Sequence, residues 1–338
     1  MIIIKNGSSV RRFNRDIPQV DSNNSTQASV IDLNNITNTV NKCGVELEGF
    51  FARSGRTRRP QGFKDDCSVS FNGDHRFQER FNTTAIYQRD RIGSTSNYYK
   101  GEVVREPKTI TETYRFMNSA YPERANSSCG MHVHLSFKQP LSYVWLLEFE
   151  FETYLLNVLK SWGDRNLAND DYNAKLLRNR LHGAYYCQPM KELSFGYLRE
   201  TPLSTGLNTS HILEKTKVPS TLCHLETQGN YKVGGFAPQA HSSWNGEDKY
   251  LITNPDLYKF GTINGFNKDY MGTVEFRILP AFDSKQLAVK AYTELVGAVV
   301  KYLNSDYIKE KTEHLKSSKT FNIIRRSRKI RKQISTNI

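Results

Sequence analysis

Cys129-Gly130-Met131-His132-Val133-His134-Leu135-Ser136 alternates apolar residues with groups that can hold a metal or a proton. In a β-strand, side chains two positions apart share a face. His132 and His134 therefore stand on one side, and Val133 turns to the other. Two distant stretches carry the same rhythm. Upstream, Gly44-Val45-Glu46-Leu47-Glu48 puts Glu46 and Glu48 on one face and Leu47 on the other. Downstream, Thr273-Val274-Glu275-Phe276-Arg277-Ile278 does so with Glu275 and Arg277 around Phe276. Three strands, each with a charged or imidazole pair on one face and an apolar residue between, are what a sheet lining a metal site requires.

Each motif alone has an ordinary explanation: a solvated strand face for Glu-x-Glu, two satisfied histidines for His-x-His, a cross-strand ion pair for Glu-x-Arg. Together they are harder to dismiss, because solvation gives no reason for three such faces in apolar settings.

In this order the three motifs resemble the amidoligase family of carboxylate–amine ligases, relatives of glutamine synthetase and of the glutamate–cysteine ligases. The residues that carry the resemblance are Glu46/Glu48, the Gly-Met-His-x-His-x-Ser run at 130–136, and Thr-Val-Glu-Phe-Arg at 273–277. It spans about residues 41–305, with a weaker match at Gly101-Glu102-Val103-Val104. It implies an α+β, glutamine synthetase-like catalytic domain: a curved, mainly antiparallel sheet with helices packed on its outer face. It also implies ATP-dependent formation of an amide or isopeptide bond through an acyl phosphate. Glu46, Glu48, Glu102, His132 and Glu275 become the expected ligands of Mg²⁺ or Mn²⁺. His134 and Arg277 are the expected groups beside nucleotide phosphate, with Arg277 stabilising the transferring phosphoryl group. The substrates would be a small-molecule or peptide carboxylate and an amine.

The chemistry asks for such a set. An uphill condensation needs the carboxylate activated, and phosphoryl transfer needs its negative charge neutralised and aligned. Magnesium takes oxygen ligands; a histidine among them is unusual on hard–soft grounds and suits Mn²⁺ as well. A fork-shaped, permanently charged guanidinium suits a phosphoryl group.

Two other readings stay open. One is a Zn²⁺ or Fe²⁺ hydrolase or oxygenase using His132, His134, a carboxylate and a third histidine from His182, His224 or His241. The other is a non-catalytic binding protein that works through a basic tail. The net charge of +13 over 338 residues bears on this. Lys316, Lys319, Arg325, Arg326, Arg328, Lys329, Arg331 and Lys332 supply +8 of it with no acidic residue among them. Such a tail suits nucleic acid or an anionic surface, and a solvated terminus explains it equally well. Arg53, Arg56, Arg58, Arg59 and Lys64 make a second basic cluster, either at the mouth of a site or on a solvated loop.

Length allows a substantial core, and a mean hydropathy of −0.61 leaves no run of the ~18 apolar residues a bilayer span needs. Met1-Ile2-Ile3-Ile4-Lys5 is too short an apolar run for a secretory signal, so a cytoplasmic location is expected. The five cysteines (Cys43, Cys67, Cys129, Cys187, Cys223) lack paired metal spacing and read as reduced thiols.

Along the chain, residues 1–40 read as a polar extension and 41–310 as the catalytic domain, with a variable stretch at 163–245. Residues 311–338 read as the basic tail. Within the domain, 83–96 reads as loop, and a strand around Glu102–Arg105 is expected to stop at Pro107. The stretch 109–117 is undecided between helix and strand. One helix is expected over 141–162, a short one over 170–180, and a closing one from a cap at Asp283 or Ser284 to Leu303. Arg178 and Arg180 stand before Tyr186-Cys187 in a way that loosely resembles the family, which suggests an arginine for a substrate carboxylate; helix-surface charge is the alternative.

Overall fold

In the computed structural model of the chain, the structure describes residues 4–6, 9–11, 33–53, 59–93, 97–139, 142–146, 149–183, 187, 262–264 and 273–317. The fold is α+β. Its centre is a six-stranded sheet in the order β4-β5-β3-β6-β8-β7, every neighbouring pair antiparallel. The strands are β3 (Val40–Ala52), β4 (Phe63–Asp65), β5 (Tyr98–Lys108), β6 (Gly130–Phe137), β7 (Ile263–Asn264) and β8 (Val274–Pro280). A separate two-stranded ribbon joins β1 (Ile4–Asn6) and β2 (Ser9–Arg11). All three motifs are on strands, and their strands are neighbours.

One face of the sheet is apolar. Val45, Leu47, Val103, Met131, Val133, Leu135, Val274 and Phe276 meet helices there in the main core. These helices are α1 (Leu33–Thr39), α4 (Ile110–Ala120), α5 (Ser142–Leu146), α6 (Phe149–Asn166) and, near the end of the chain, α8 (Lys285–Leu303). Phe151 sits against Phe276 and Tyr302, ring centres 6.2 and 4.9 Å apart, so α6 is wedged between sheet and α8. At about 25 cal/mol per Å² of apolar surface removed from water, this layer is the main stabilising term.

The opposite face is covered by the stretch from residue 66 to 93, which contains α2 (His75–Arg80) and α3 (Thr84–Asp90), and by α7 (Tyr172–Leu181). Phe50 packs there with Val69, Ile92, Ala125 and Cys129. Phe77, Ile86, Tyr172 and Leu176 form a third apolar cluster that ties α2 and α3 to α7.

Several boundaries differ from the sequence reading. The domain starts before residue 41: β3 begins at Val40, and Ile36 of α1, 1% exposed, belongs to the main core. The stretch 83–96 contains α3, whose Thr83 hydroxyl accepts from the Ile86 amide and whose Ile86 is buried. Strand β5 runs through Pro107 instead of stopping there. The β3–β5 register jumps from Val45↔Arg105 to Cys43↔Lys108, so Glu106 and Pro107 together face Gly44. A bulge is where a strand tolerates a residue without an N–H.

The undecided stretch is α4, fixed by a capping box between Thr109 and Glu112. The expected single helix over 141–162 is described as α5 and α6. Asp171 caps α7 and Ser284 caps α8, as their sequences suggest. The tail boundary at 311 also moves, because α9 (Asp306–Ser317) continues through it and buries Lys311 against Trp145 and Tyr307. Of the tail and the 163–245 stretch, residues 318–338, 184–186 and 188–245 lie outside the described residues. Among the described residues, no helix is long and apolar enough to cross a membrane.

Candidate metal centre

Strand register assembles the polar face row by row. Glu48 of β3 stands opposite Glu102 of β5, Glu46 opposite His132 of β6, and His134 opposite Glu275 of β8. Two residues along β8 from Glu275, Arg277 points the same way, and its Nη1 donates to Glu275 Oε1 at 2.6 Å. The seven residues singled out in the sequence thus form one continuous strip across four strands. Glu46, Glu48, His132, His134 and Glu275 are all buried.

The centre of the strip is tight. His132 Nδ1 lies 3.0 Å from Glu46 Oε2 and 3.4 Å from Glu275 Oε1; His134 Nε2 lies 3.2 Å from Glu46 Oε1. Ligand atoms of Glu46, His132 and Glu275 all fall within 4.8 Å of one another. A second group, Glu48, Asp66 and Glu102, meets the same spacing and is less buried. Asp66 follows β4 directly and escaped the sequence reading. Its carboxylate also accepts from the backbone and hydroxyl of Ser68, at 2.8 and 2.7 Å.

The electrostatics follow from packing carboxylates together out of water. Burial opposes the charge on Glu46, yet hydrogen bonds from His132 and His134 outweigh it and hold the carboxyl well below its usual range. At Glu275 burial is likewise outweighed, chiefly by the Arg277 guanidinium and then by the two imidazoles. Burial and Arg277 work to keep His132 neutral, but Glu48, Glu46 and Glu275 raise it above an ordinary imidazole. At Glu102 burial, then Glu46, Glu48 and Asp66, outweigh the opposing pull of His132 and push the carboxyl up to about 7. Lys64, opposite it on β4, is 4.0 Å away and largely solvated.

Crowding three carboxylates out of water, with the Arg277 guanidinium hydrogen-bonded to Glu275 alone among them, costs several kcal/mol per ion unless their charge is offset. His132 Nε2 is buried and makes no hydrogen bond among the described residues, although Glu48 Oε1 is 3.5 Å off. An orphan imidazole nitrogen among carboxylates is the donor set of a divalent cation site with mixed oxygen and nitrogen ligands. Gly130 keeps the space open: a Cβ there would fall 2.9 Å from His132 Nε2, 3.0 Å from Arg180 Nη2 and 3.2 Å from Glu48 Oε2. Its amide meanwhile donates to Glu48 Oε2 at 2.5 Å.

The remaining sequence candidates separate clearly. Arg178 is a surface residue of α7, its Nη2 donating to the carbonyl and side chain of Asn169; Arg180 is buried at the strip. Arg53 and Arg59 stack on Tyr99, 4.4 and 5.1 Å from its ring centre, and Arg56 and Arg58 lie outside the described residues. His182 is the C-cap of α7, and the other third-histidine candidates, His224 and His241, lie outside the described residues. Cys43 and Cys129 do adjoin motif glycines, but burial raises their thiols to about 11 and about 12, which disarms them as nucleophiles.

Compared with protein-family models, with curated proteins and with solved structures, the chain matches none.

Proposed function

We propose that the polar strip is the active site of an ATP-dependent carboxylate–amine ligase on a glutamine synthetase-like sheet. The observation that carries this reading is the meeting of Glu46, His132 and Glu275 within 4.8 Å beside Arg277, from three motifs far apart in sequence. Glu46, His132 and Glu275 would hold one Mg²⁺ or Mn²⁺, with Glu48 and Glu102 beside it. Bound there, the cation neutralises phosphate charge and orients the oxygens of the nucleotide.

The chain's own groups do the rest. Arg277, hydrogen-bonded to Glu275, stands on the same face and would stabilise the transferring γ-phosphoryl group. His134, held at Glu46, stands on the same face beside the phosphates. The substrate carboxylate oxygen attacks the γ-phosphorus as its bond to ADP breaks, giving an acyl phosphate. The amine then attacks the acyl carbon, inorganic phosphate leaves, and the amine's extra proton passes to a base or to water. The cover formed by α7 and residues 66–93 limits water, which would otherwise hydrolyse the acyl phosphate.

A panel of carboxylates and amines, read by ADP release from Mg²⁺-ATP or Mn²⁺-ATP, tests the assignment. The expected result is ADP release that needs both a carboxylate and an amine. Calorimetry showing no metal-dependent ATP binding to the folded protein would overturn it. The transition-metal alternative gains one specific observation, the presence of both His132 and His134 in the cluster. Tight Zn²⁺ or Fe²⁺ binding with no response to ATP would favour it.

A further inference from the structure

The side of the sheet covered by α1, α5 and α8 carries a cleft that the proposed chemistry does not use. It lies where β3 begins and β6 ends, between α1, α5, the end of α8 and α9, and has a volume of about 440 Å³. That is within the ~300–1,000 Å³ of small-molecule sites. The polar strip is on the other face, so the cleft is a separate place. Its walls are tied together. The Lys138 amide donates to the Thr39 carbonyl at 3.1 Å, Asn304 Nδ2 to Thr39 Oγ1 at 3.0 Å, and Trp145 Nε1 to Thr312 Oγ1 at 3.1 Å. A site held this way loses little freedom when a ligand arrives.

The lining selects the ligand. Asn35 and Asn38 of α1 and Gln139 after β6 bring side-chain amides that make no hydrogen bond among the described residues. Asn304, the C-cap of α8, uses its Nδ2 on Thr39. Each amide offers donors and an acceptor side by side, which matches a hydroxyl, itself both donor and acceptor. Trp145, Leu303 and Ile308 form the apolar part, suited to the C–H face of a sugar ring. The charged lining residues, Lys309 and Glu313, are opposite in sign, and Lys309 Nζ is 2.9 Å from Asp306 Oδ1. An ionic ligand therefore finds no net charge to answer its own. A wholly apolar one would take water from the amides and give nothing back. A peptide chain is commonly met by a strand edge or an apolar helix groove; here single side chains from separate elements do the meeting.

We propose that this cleft is a second binding site, for an uncharged mono- or disaccharide held by the amides of Asn35, Asn38, Gln139 and Asn304. The assignment does not rest on the ligase reading.

The test is a calorimetric titration of the full chain with maltose, cellobiose and N,N′-diacetylchitobiose. Wild type is compared with the Asn35→Ala/Asn38→Ala double variant and with Gln139→Ala. All three residues are exposed, so both variants should keep the wild-type Tm. Wild type should bind at least one disaccharide, with or without Mn²⁺-ATP. Loss of two amides should weaken that sugar at least about tenfold, and loss of one about threefold.

No disaccharide bound by wild type, or equal affinity in all three proteins, would overturn the proposal. A blocked tripeptide, N-acetyl-trialanine amide, bound in place of the sugars would also overturn it and assign the cleft to a peptide. Calorimetry with Mn²⁺-ATP on the same samples separates the two claims. ATP binding without sugar binding sinks this inference alone; the reverse sinks the ligase reading alone.

Discussion

Two buried carboxylate centres lie on the same side of the sheet, and they are built on opposite principles. Asp90, 0% exposed, accepts from Gln78 Nε2, the Ser127 amide, the Ser127 hydroxyl and the Tyr172 hydroxyl, at 2.6 to 2.8 Å. Neutral donors from α2, α7 and the approach to β6 satisfy it completely, so it is closed. At the strip, three carboxylates face one another across strands, and His132 Nε2 and Arg180 Nη1 have no hydrogen-bond partner among the described residues. Under the proposed function, a bound cation and substrate complete that centre. Burial of charge alone therefore does not mark a site; burial with donors and acceptors left over does.

Removing the carboxylate from the closed centre should have the largest effect. Asp90→Ala leaves four donors buried and unpaired, for a loss of about 3–5 kcal/mol, read as a fall in urea midpoint with an unchanged slope. The contrast collapses if Asp90→Ala is as stable as wild type. Glu46→Gln should behave the other way. Stability should stay within about 1 kcal/mol of wild type or rise, because one of several repelling charges is gone, while Mn²⁺ affinity drops at least about tenfold. A large stability loss without a change in Mn²⁺ affinity would make the strip a second structural centre.

Gly130→Ala sharpens the comparison without removing any ligand. Its methyl group would intrude among His132, Arg180 and Glu48, so Mn²⁺ binding should weaken by roughly the ~10–100-fold seen when groups around a metal's ligands are disturbed. Equal affinity would show that the space is not used. The smallest effect is on thiol reactivity. In a Cys223→Ser background at pH 8, exposed Cys67 should react promptly with a disulfide reagent. Cys43, Cys129 and Cys187 should wait for unfolding, because burial raises their thiols to about 11, about 12 and about 11. A raised pKa leaves only about one thiolate in a thousand or fewer at that pH, against roughly a quarter for a free cysteine. Prompt reaction of Cys129 would mean that the layer over the strip opens readily.

Much of the site was readable because the two-residue period of a strand acts on residues that are chemically conspicuous. Glu46, Glu48, His132, His134, Glu275 and Arg277 announce themselves in pairs. Their being on adjacent strands was not readable, since antiparallel pairing between residues as far apart as Glu46 and His132, or His134 and Glu275, leaves no local trace. Asp66 looked like one acid of an ordinary Asp65-Asp66 pair, and only the β4–β5 pairing brings it to Glu102. Arg180 and Arg178 are two residues apart on a helix, so spacing puts them on different sides, but only packing tells which side is inward. Pro107 misled in the strand reading because a bulge absorbs it, and α3 because seven mostly polar residues offer little periodicity beyond Thr83 and Ile86.

The most direct test of the central claim is a calorimetric titration of the metal-free protein with Mn²⁺ and then Mn²⁺-ATP, on wild type and on Glu275→Gln. The account predicts Mn²⁺ binding by wild type that supports ATP binding, and loss of both in the folded variant. Wild-type and Glu275→Gln protein that bind Mn²⁺ and ATP alike, or a folded wild type that binds neither, would contradict it.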